Sequence, residues 1–360
     1  MSCRRSYPPV APRKPLHIST RRRWIPKEGT ENESRDDSTK VRIVSYNILY
    51  NAVEITKFLR HCERQALKWE LRETTITNEL LYYEADIILL QEISGKNATL
   101  LLERLKDQFI GIFVPKNSSC QGSTIMYRKN MLALKATDLI QLNAYKGNVV
   151  VPEELRERAE ATNNIALVAT FTLIQDTDDA EPLVVATPHL YWHPLRADVK
   201  LLQAITLMTE LDKIVEKTVK VHEISKDQVH VVVAGDFNSL ANSGVVTFLN
   251  EKQVGNDHGD FGGAFKDCAP AKFEHFSDVT SAYDGELMYT FLAKKFKGVI
   301  DYIFYSEKNL KLMKVIGPVS HHWLKYYEYC RFPNEEFPSD HFALGAEFVI
   351  LKKASEDAEK

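Results

Sequence analysis

The chain has 360 residues, a formal net charge of −3 at pH 7, 44% hydrophobic residues and 26% charged residues. This composition is typical of a globular protein, and the near-neutral charge argues against broad binding of duplex nucleic acid by net charge alone. No apolar run approaches the roughly 18 residues that a membrane-spanning helix requires, so no membrane association is expected. The five cysteines are far apart and form no CxxC pair, which fits a reducing compartment without structural zinc.

Residues 1–40 differ from the rest of the chain. Basic residues dominate before the first acidic residue, Glu28, and prolines at positions 8, 9, 12 and 15 oppose a continuous helix. We predict a basic, disordered tail and linker over 1–40; the alternatives are a cleaved organelle-targeting peptide and an RNA-contacting arm. The expected location is the cytoplasm or nucleus, with the mitochondrion as the alternative that the basic tail leaves open. Residues 41–351 are expected to form one folded domain, and 352–360 a polar tail.

Strand and helix patterns interleave from residue 41 onwards. Strands are predicted in 41–49, 85–93, 123–129, 165–174, 183–192, 229–239, 298–306 and 341–350, and helices in 63–83, 97–109, 197–215 and from about 243. Several strands follow one another without an intervening helix. This order favours an α/β fold with two packed, mostly antiparallel β-sheets flanked by helices, a four-layer sandwich, over a single doubly wound sheet.

Polar side chains recur at the ends of these hydrophobic strands. Singly, such residues are typical of turns, helix starts or loops. A polar group left buried and unpaired costs about 1–3 kcal/mol, so the recurrence predicts that these side chains converge and satisfy one another or a metal. The residues are Asn47, Gln91, Glu92, His189, Asp236, Asn238, Asp301, Asp340 and His341.

The types of side chain in this set indicate a reaction class. Carboxylate and amide oxygens suit Mg²⁺ or Mn²⁺. The chain has no GxSxG nucleophile elbow, HExxH motif, P-loop or GxGxxG motif, which argues against nucleotide-fuelled transfer and hydride transfer. Metal-assisted, in-line attack of water on a phosphate ester needs a hard metal, a spare carboxylate, an Asp/His pair and amide donors, and the set supplies them.

Six motifs in this order resemble the endonuclease/exonuclease/phosphatase superfamily: SYNIL, LLQE, PHLYW, GDFNS, IDYIFYS and PSDH. Longer segments, among them CERQALKWELR and HLYWHPLRADVKLLQ, are similar to one branch of it. That branch contains the carbon-catabolite-repressor deadenylases, nocturnin, the Angel proteins and the 2′-phosphodiesterases. The resemblance covers residues 41–351 and implies a catalytic domain with a deoxyribonuclease-like version of the predicted sandwich.

The resemblance also implies a metal site holding Mg²⁺ (or Mn²⁺). Glu92 would be the central metal ligand, Asn47 would lie near the metal through a water molecule, and Asp340 would belong to the network of metal and histidine.

The remaining matched positions imply catalytic and substrate contacts. Asp236 would activate or position the attacking water, and Asn238 and His189 would hold the phosphate. Asp301 would orient His341, which would contact the scissile phosphate. Pro194 and Phe296 match the positions that sandwich an adenine base, which suits single-stranded RNA; without the resemblance, Phe296 fits a core aromatic equally well.

Two positions depart from the family pattern. Thr187 and Pro188 precede His189 where the family usually has Asn-Thr, so one carboxamide and one backbone donor are lost. Deadenylases commonly have Asp where this chain has His193, and histidine there is more similar to the 2′-phosphodiesterases.

The resemblance implies a metal-dependent 3′-to-5′ exoribonuclease of the deadenylase type, which releases nucleoside 5′-monophosphates and favours poly(A). One alternative is a 2′,5′-phosphodiesterase or small-nucleotide phosphatase of the nocturnin kind. An alternative of another class is a non-catalytic RNA-binding or scaffold protein. The expected partner is single-stranded RNA with a 3′ poly(A) end. The chain has no leucine-rich-repeat signature, the docking module of the large deadenylase complex, so we expect a monomer that acts outside that assembly.

Overall fold

The computed structural model describes residues 22–30, 40–50, 59, 62–116, 120–174, 181–283, 285–293, 296–308, 310–320 and 332–351. Most of the predicted basic tail (1–21), most of the linker (31–39) and the polar tail (352–360) lie outside the described residues, so the predictions for them stay predictions. No helix in the described ranges has the length and apolar character needed to cross a bilayer.

The described residues form two large β-sheets and two small two-stranded ones. The strands along the chain are β1 (Trp24–Pro26), β2 (Lys40–Asn47), β3 (Ile87–Ser94), β4 (Phe109–Pro115), β5 (Gln121–Arg128), β6 (Leu132–Gln141), β7 (Ile165–Leu173), β8 (Leu183–Pro188), β9 (His230–Asp236), β10 (Gln253–Gly255), β11 (Lys272–Glu274), β12 (Val279–Ser281), β13 (Phe291–Leu292), β14 (Lys297–Gly298), β15 (Asp301–Ser306), β16 (Leu310–Ile316) and β17 (Leu344–Ile350).

The first large sheet has the order β1-β16-β17-β2-β3-β5-β4, and the second has the order β12-β15-β9-β8-β7-β6. In each sheet, only the central pair of strands is parallel: β2 with β3, and β8 with β9. Because parallel neighbours end at the same edge, the carboxyl ends of these four strands gather at one end of the two sheets.

Helices cover the outer face of each sheet. They are α1 (Trp69–Tyr83), α2 (Gly95–Leu105), α3 (Glu153–Glu160), α4 (Ala197–His222) and α5 (Gly244–Glu251). Helices α1 and α2 pack on the first sheet through Ile76, Leu80 and Leu101, whereas α3, α4 and α5 pack on the second. The layers therefore run helix, sheet, sheet, helix, which confirms the predicted four-layer sandwich.

The core between the sheets comes from alternate residues of their strands. Ile43, Leu89, Val185, Ala234 and Ile303 all lie in this layer and are fully buried. Side chains two positions further along a strand project to the same side. A polar residue at the end of such a strand therefore faces the gap between the sheets rather than solvent.

Sequence patterns found most central strands but not those at the sheet edges. Strand β6 pairs with β7 alone, and every second residue in its second half is exposed. Because it has no continuous hydrophobic run, the sequence pattern did not predict it. Helix α1 begins at Trp69 rather than at residue 63. Helix α4 extends past the predicted end at 215 until Glu223, whose left-handed backbone (φ 54°) terminates it.

Residues 22–30 differ from the predicted disordered tail. Trp24–Pro26 form β1, which pairs antiparallel with β16. Arg22 is buried; its Nε donates to the carbonyl of Gly317 at 2.7 Å and its Nη1 to the carbonyl of Ala343 at 2.6 Å. A buried guanidinium is tolerated when backbone oxygens accept its donors. These nine residues thus belong to the folded domain, and its described part starts before residue 41.

Candidate active site

The floor of the site is a polar layer at the end of the core between the sheets. The Nε2 of Gln91 donates to Thr187 Oγ1 at 2.8 Å and to Ser45 Oγ at 3.1 Å, which joins the two sheets. Within the second sheet, Gly235 of β9 permits the close approach of β8, because a Cβ there would collide with the carbonyl oxygen of Pro188. Thr187, which replaces the family's usual Asn, is thus fully buried and bonded to Gln91, and its hydroxyl is part of this floor.

Asp236 lies at the centre of the site. Its Oδ2 accepts a hydrogen bond from Asn47 Nδ2 at 2.9 Å and lies 3.6 Å from His189 Nε2 and 3.8 Å from His341 Nε2. Its Oδ1 accepts from the backbone N–H of Asn238 at 2.8 Å. Burial, together with the charge of nearby Asp301, raises the pKa of Asp236 to about 7. A carboxylate with a pKa near neutrality is suited to accept a proton from water.

His341 is held by Asp301. The two oxygens of Asp301 lie 2.9 and 3.1 Å from His341 Nδ1, so this nitrogen carries the proton and Nε2 faces Asp236. Burial alone would lower the pKa of His341, but the charges of Asp301 and Asp236 outweigh it and raise the pKa to about 10. His341 is therefore an imidazolium at neutral pH, with an Nε2–H available to an oxyanion.

His189 has the opposite protonation state, which is set by Lys116. The ammonium of Lys116 lies 2.9 Å from His189 Nδ1. Since an ammonium can only donate, Nδ1 must be unprotonated, and Nε2 carries the proton of the neutral ring. Burial, the charge of Lys116 and the charge of His341 lower the pKa of His189 well below its usual value. Its Nε2–H faces Asp236 Oδ2 and Glu92 Oε1, the latter at 3.8 Å.

Glu92 enters the site through a bulge in β3. The pairing of β3 with β5 shifts between Leu90 and Ile93, and Glu92 has a left-handed backbone (φ 55°). Positive φ is uncommon for a non-glycine residue and concentrates at functional sites. The bulge directs the carboxylate toward Asn47, whose Nδ2 lies 3.3 Å from Oε1, while Oε2 accepts from the backbone N–H of Tyr50 at 3.1 Å.

The side chains present fit a hard divalent metal. Asp340 Oδ1 is buried and has no hydrogen-bond partner among the described residues, an arrangement that costs about 1–3 kcal/mol unless a cation relieves it. Burial raises the pKa of Asp340 to about 6, and the negative charge of nearby Glu92 contributes. Asp236, Asp301 and His341 form a cluster whose ligand-type atoms lie within 4.8 Å of one another. Because Asp301 and His341 already bond each other, Glu92 and Asp340 are the better candidates for metal ligands. The resemblance implies the same two residues, and their role in metal binding stays a prediction.

Divalent metal should therefore stabilise the protein more at pH 8 than at pH 6. The pKa values of Asp236 and Asp340 are raised to about 7 and 6, so in the metal-free fold each carboxyl is mostly protonated below that pH and mostly ionised above it. Their contribution to stability is full below their unfolded pKa and is lost as the pH rises through 6 and 7. A bound cation would offset this loss once the protons have left. Thermal unfolding with and without Mg²⁺ or Mn²⁺ measures the effect, and an equal rise in Tm at both pH values would contradict it.

Asn238 connects the end of β9 to the segment that follows His189. It has a left-handed backbone (φ 48°), its Nδ2 donates to the carbonyl of Leu190 at 3.1 Å, and its own carbonyl accepts from Lys200 Nζ at 2.7 Å. Among the described residues only Leu190 accepts from the Asn238 amide, which leaves its second hydrogen for a phosphate oxygen. Its role in phosphate binding stays a prediction.

The predicted base site is only partly defined by contacts. The ring of Phe296 lies 5.8 Å from that of Phe291, and Phe291 lies 4.8 Å from the ring of His341. Phe296 is 43% exposed, so it is not a core aromatic. Pro194 is exposed in the segment that follows His189. The sandwich of a base between Pro194 and Phe296 stays a prediction.

Sequence reasoning missed two buried cations at the site. Lys116 follows Pro115 at the end of β4, a pattern typical of an exposed loop, and nothing local distinguished it. Arg72 lies on the same helix face as Ile76, which was a usable signal. Its guanidinium donates to the carbonyls of Ile48, Leu49 and Pro338, so it holds the loop after Asn47 against the loop before Asp340.

A sequence model of the Endonuclease/Exonuclease/phosphatase family matches residues 44–341, which is most of the chain. The chain belongs to this family, as its motifs predicted.

Relatives fit the predicted branch within the family. The chain is 30% identical over 345 residues to the CCR4-NOT transcription complex subunit 6-like protein of Danio rerio, covering 85% of this chain and 62% of that protein. It is 29% identical to the CCR4-Not complex 3′-5′-exoribonuclease subunit Ccr4 of Mycosarcoma maydis, covering 89% of this chain and 52% of the relative. The chain thus spans about half to two thirds of the length of these relatives.

Solved structures share the fold. ANGEL2, described as a 2′,3′-cyclic phosphatase in complex with adenosine-2′,3′-vanadate, superposes with a TM-score of 0.70 at 21% identity, covering 92% of this chain and 99% of that one. The human Nocturnin catalytic domain superposes with a TM-score of 0.60 at 20% identity, covering 92% and 98%. At these identities the likeness concerns the fold, and it confirms the deoxyribonuclease-like sandwich.

Proposed function

We propose that the protein is a magnesium-dependent 3′-to-5′ exoribonuclease of the deadenylase type, which removes nucleoside 5′-monophosphates from the 3′ end of RNA and favours poly(A). The observation that carries this proposal is the convergence of Asn47, Glu92, His189, Asp236 and His341 at one end of the two sheets, with complementary protonation states. The exoribonuclease names of relatives at about 30% identity support the substrate class.

The geometry supports one proton path for this reaction. Asp236 accepts a proton from the water that attacks the scissile phosphorus, for which a pKa raised to about 7 is suited. The new P–O bond forms as the bond to the 3′ oxygen of the preceding nucleotide breaks, and that oxygen takes up a proton from solvent water. The products are a nucleoside 5′-monophosphate and an RNA shortened by one nucleotide with a free 3′ hydroxyl.

Three donors stabilise the negative charge that accumulates on the phosphate. His341 offers an imidazolium Nε2–H, His189 offers a neutral Nε2–H, and Lys116 places an ammonium behind His189. Such donors are fixed in a dry site before reaction, which is why they stabilise a transition state without the cost of reorganisation.

Glu92 and Asp340, with Asn47 close by, would hold the Mg²⁺, which when bound supplies charge neutralisation to the phosphate and leaving oxygens. The bulge at Glu92 and the Oδ1 of Asp340, which has no hydrogen-bond partner among the described residues, support this position for the metal. Mn²⁺ has the same preference for oxygen ligands and is expected to substitute for Mg²⁺.

The proposal is tested with the purified full chain and 5′-labelled RNA. Oligo(A) should shorten one nucleotide at a time in Mg²⁺ and stop on chelation, and it should shorten faster than a mixed sequence of the same length. Release of adenosine 5′-monophosphate identifies the bond that is broken. RNA that is bound but not shortened would reject the proposal and favour the non-catalytic RNA-binding class.

A 2′,5′-phosphodiesterase or small-nucleotide phosphatase is the second candidate. The observation that favours it is His193, which stacks on Tyr191 at 6.3 Å and 16° where deadenylases commonly have Asp. Thr187 also stands where the family usually supplies a carboxamide to the phosphate, and the hydroxyl of Thr187 bonds Gln91. Comparing adenosine trimers with 2′,5′ and 3′,5′ linkages separates the two functions, because preferential cleavage of the 2′,5′ trimer would establish the alternative.

A further inference from the structure

We propose that Trp192 is a stacking platform for a base of single-stranded RNA, distinct from the predicted Pro194/Phe296 base site. The inference deepens the proposed function and rests on it. Trp192 stands three residues after His189, and 65% of its surface is exposed. The other tryptophans in the described ranges, Trp24 and Trp69, are only partly exposed and pack on Tyr83 and Arg72.

Two neighbouring rings contact the exposed indole. The ring of Trp192 lies 5.1 Å from that of His193 and 6.2 Å from that of Tyr191, while Tyr191 and His193 are themselves stacked. The Nδ1 of His193 accepts from the backbone N–H of Leu195 at 3.2 Å, which fixes this ring. Trp192 therefore presents a supported aromatic surface to solvent, the feature on which unpaired bases stack.

Side chains from three distant parts of the chain hold the backbone before Trp192: Asn164 and Gln203 are buried, and Asn238 is half-buried. Asn164 Nδ2 donates to the carbonyl of His189 at 2.9 Å, Asn238 Nδ2 donates to that of Leu190, and Gln203 Oε1 accepts from the N–H of Tyr191 at 2.8 Å. Gln203 is fully buried on α4 and also donates to Asn164 Oδ1 at 3.3 Å. The conformation of this segment is thus fixed before a ligand arrives, which reduces the entropy cost of binding.

The same network ties the platform to the catalytic centre. The N–H of Leu190 donates to the carbonyl of Asp236 at 2.9 Å, and Asn238 bonds both Asp236 and Leu190. A base stacked on Trp192 would keep a fixed position relative to the water that Asp236 activates. Arg196, exposed at the start of α4, supplies a cation for the phosphate backbone of such a strand. Stacking beside a phosphate-binding cation is the chemistry of a single-stranded nucleic acid rather than of a protein partner.

The test compares three full-chain variants, Trp192→Ala, Trp192→Phe and Phe276→Ala. Phe276 is the matched control: it is 43% exposed, and it packs on Lys226, before the start of β9 and so at the opposite end from Asp236. Trp192→Ala should raise the KM for oligo(A) of ten nucleotides by roughly 5- to 100-fold, with kcat within a factor of two or so. Trp192→Phe should retain most of the affinity, and Phe276→Ala all of it.

Two further measurements separate this inference from the proposed function. Hydrolysis of bis(p-nitrophenyl) phosphate, which has no base to stack, should be unchanged in Trp192→Ala; an equal loss on this substrate would show structural damage and overturn the inference. Binding of oligo(A) should quench tryptophan fluorescence in wild type, and the quenching should disappear in Trp192→Phe. If wild type fails to shorten RNA, the proposed function falls, while the fluorescence titration still decides the inference. Unchanged quenching and unchanged affinity in both Trp192 variants would overturn it.

Discussion

Replacing Glu92 with glutamine should lower kcat by at least about 10³-fold while the protein stays folded. Removing the charge of the central predicted metal ligand forfeits several kcal/mol of transition-state stabilisation. Glutamine has nearly the same shape but offers one acceptor oxygen, whereas Glu92 accepts from both Asn47 and Tyr50. One of these donors would lose its acceptor, at a cost of about 1 kcal/mol in stability. Kinetics on oligo(A), calorimetric titration of Mn²⁺ and thermal unfolding measure the three effects.

Glu73→Gln is the matched control for this substitution. Glu73 is a buried glutamate, whereas Glu92 is half-buried; Glu73 lies on α1 and bonds Arg104 at 2.5 Å on the outer side of the first sheet. Its replacement should lower the Tm and leave metal affinity and kcat unchanged. If Glu92→Gln retained wild-type turnover, Glu92 would not be a metal ligand and the proposed mechanism would fail.

Asp301→Asn should lower kcat by about 10²- to 10⁴-fold, because it changes the protonation of His341. Asp301 now accepts from His341 Nδ1 and holds the pKa of that histidine near 10. Asparagine removes the countercharge, while its side-chain oxygen still accepts from Nδ1–H, so the imidazolium loses its proton from Nε2 when its pKa falls. His341 Nε2 would then face the phosphate without a proton at neutral pH.

The pH dependence distinguishes this effect from general damage. In wild type, His341 remains protonated through pH 6 to 8, since its pKa of about 10 lies above that range. In Asp301→Asn that pKa falls, so the ratio of variant to wild-type activity should rise as the pH falls from 8 to 6. Asp212→Asn is the control, because Asp212 is a buried carboxylate that accepts from Ser277 and Phe276; it should lose stability but not activity. A ratio independent of pH would reject the proposed role of Asp301.

The strand ends at the site were predictable because each strand carries a local signal. In β9, a dry run stops at Asp236, and the alternation of side chains places that residue on the inner face beside Ala234. The bulge that turns Glu92 into the site has no such signal, because nothing in LLQEIS distinguishes a regular strand from one with an extra residue. The pattern singled out Gln91 and Glu92 together as a polar strand end, and only the resemblance of the motif assigned the metal to Glu92.

The supporting network was not predictable, since it depends on contacts between distant elements. Gln203 occupies a position on α4 where an apolar residue would also fit, and only the fold brings Tyr191 and Asn164 to it. Lys116 likewise contacts His189 only because the two sheets pack against each other. Arg22 was assigned to a tail by its basic neighbours, although its guanidinium meets backbone carbonyls of the core. Composition predicted the average behaviour of that segment and missed Arg22, which is the buried residue within the described positions 22–30.

Strand β1 has a consequence for self-association. It covers the outer edge of β16, where a row of unpaired backbone groups would otherwise be free to pair with a strand of another molecule. The strand is only three residues long and ends in Pro26, which has no N–H to donate, so the new edge is a poor template for β-sheet extension. The buried side chain of Arg22 stabilises the position of β1 by its hydrogen bonds to the carbonyls of Gly317 and Ala343. The first described residues thus act as a guard against aggregation through the edge of the larger sheet.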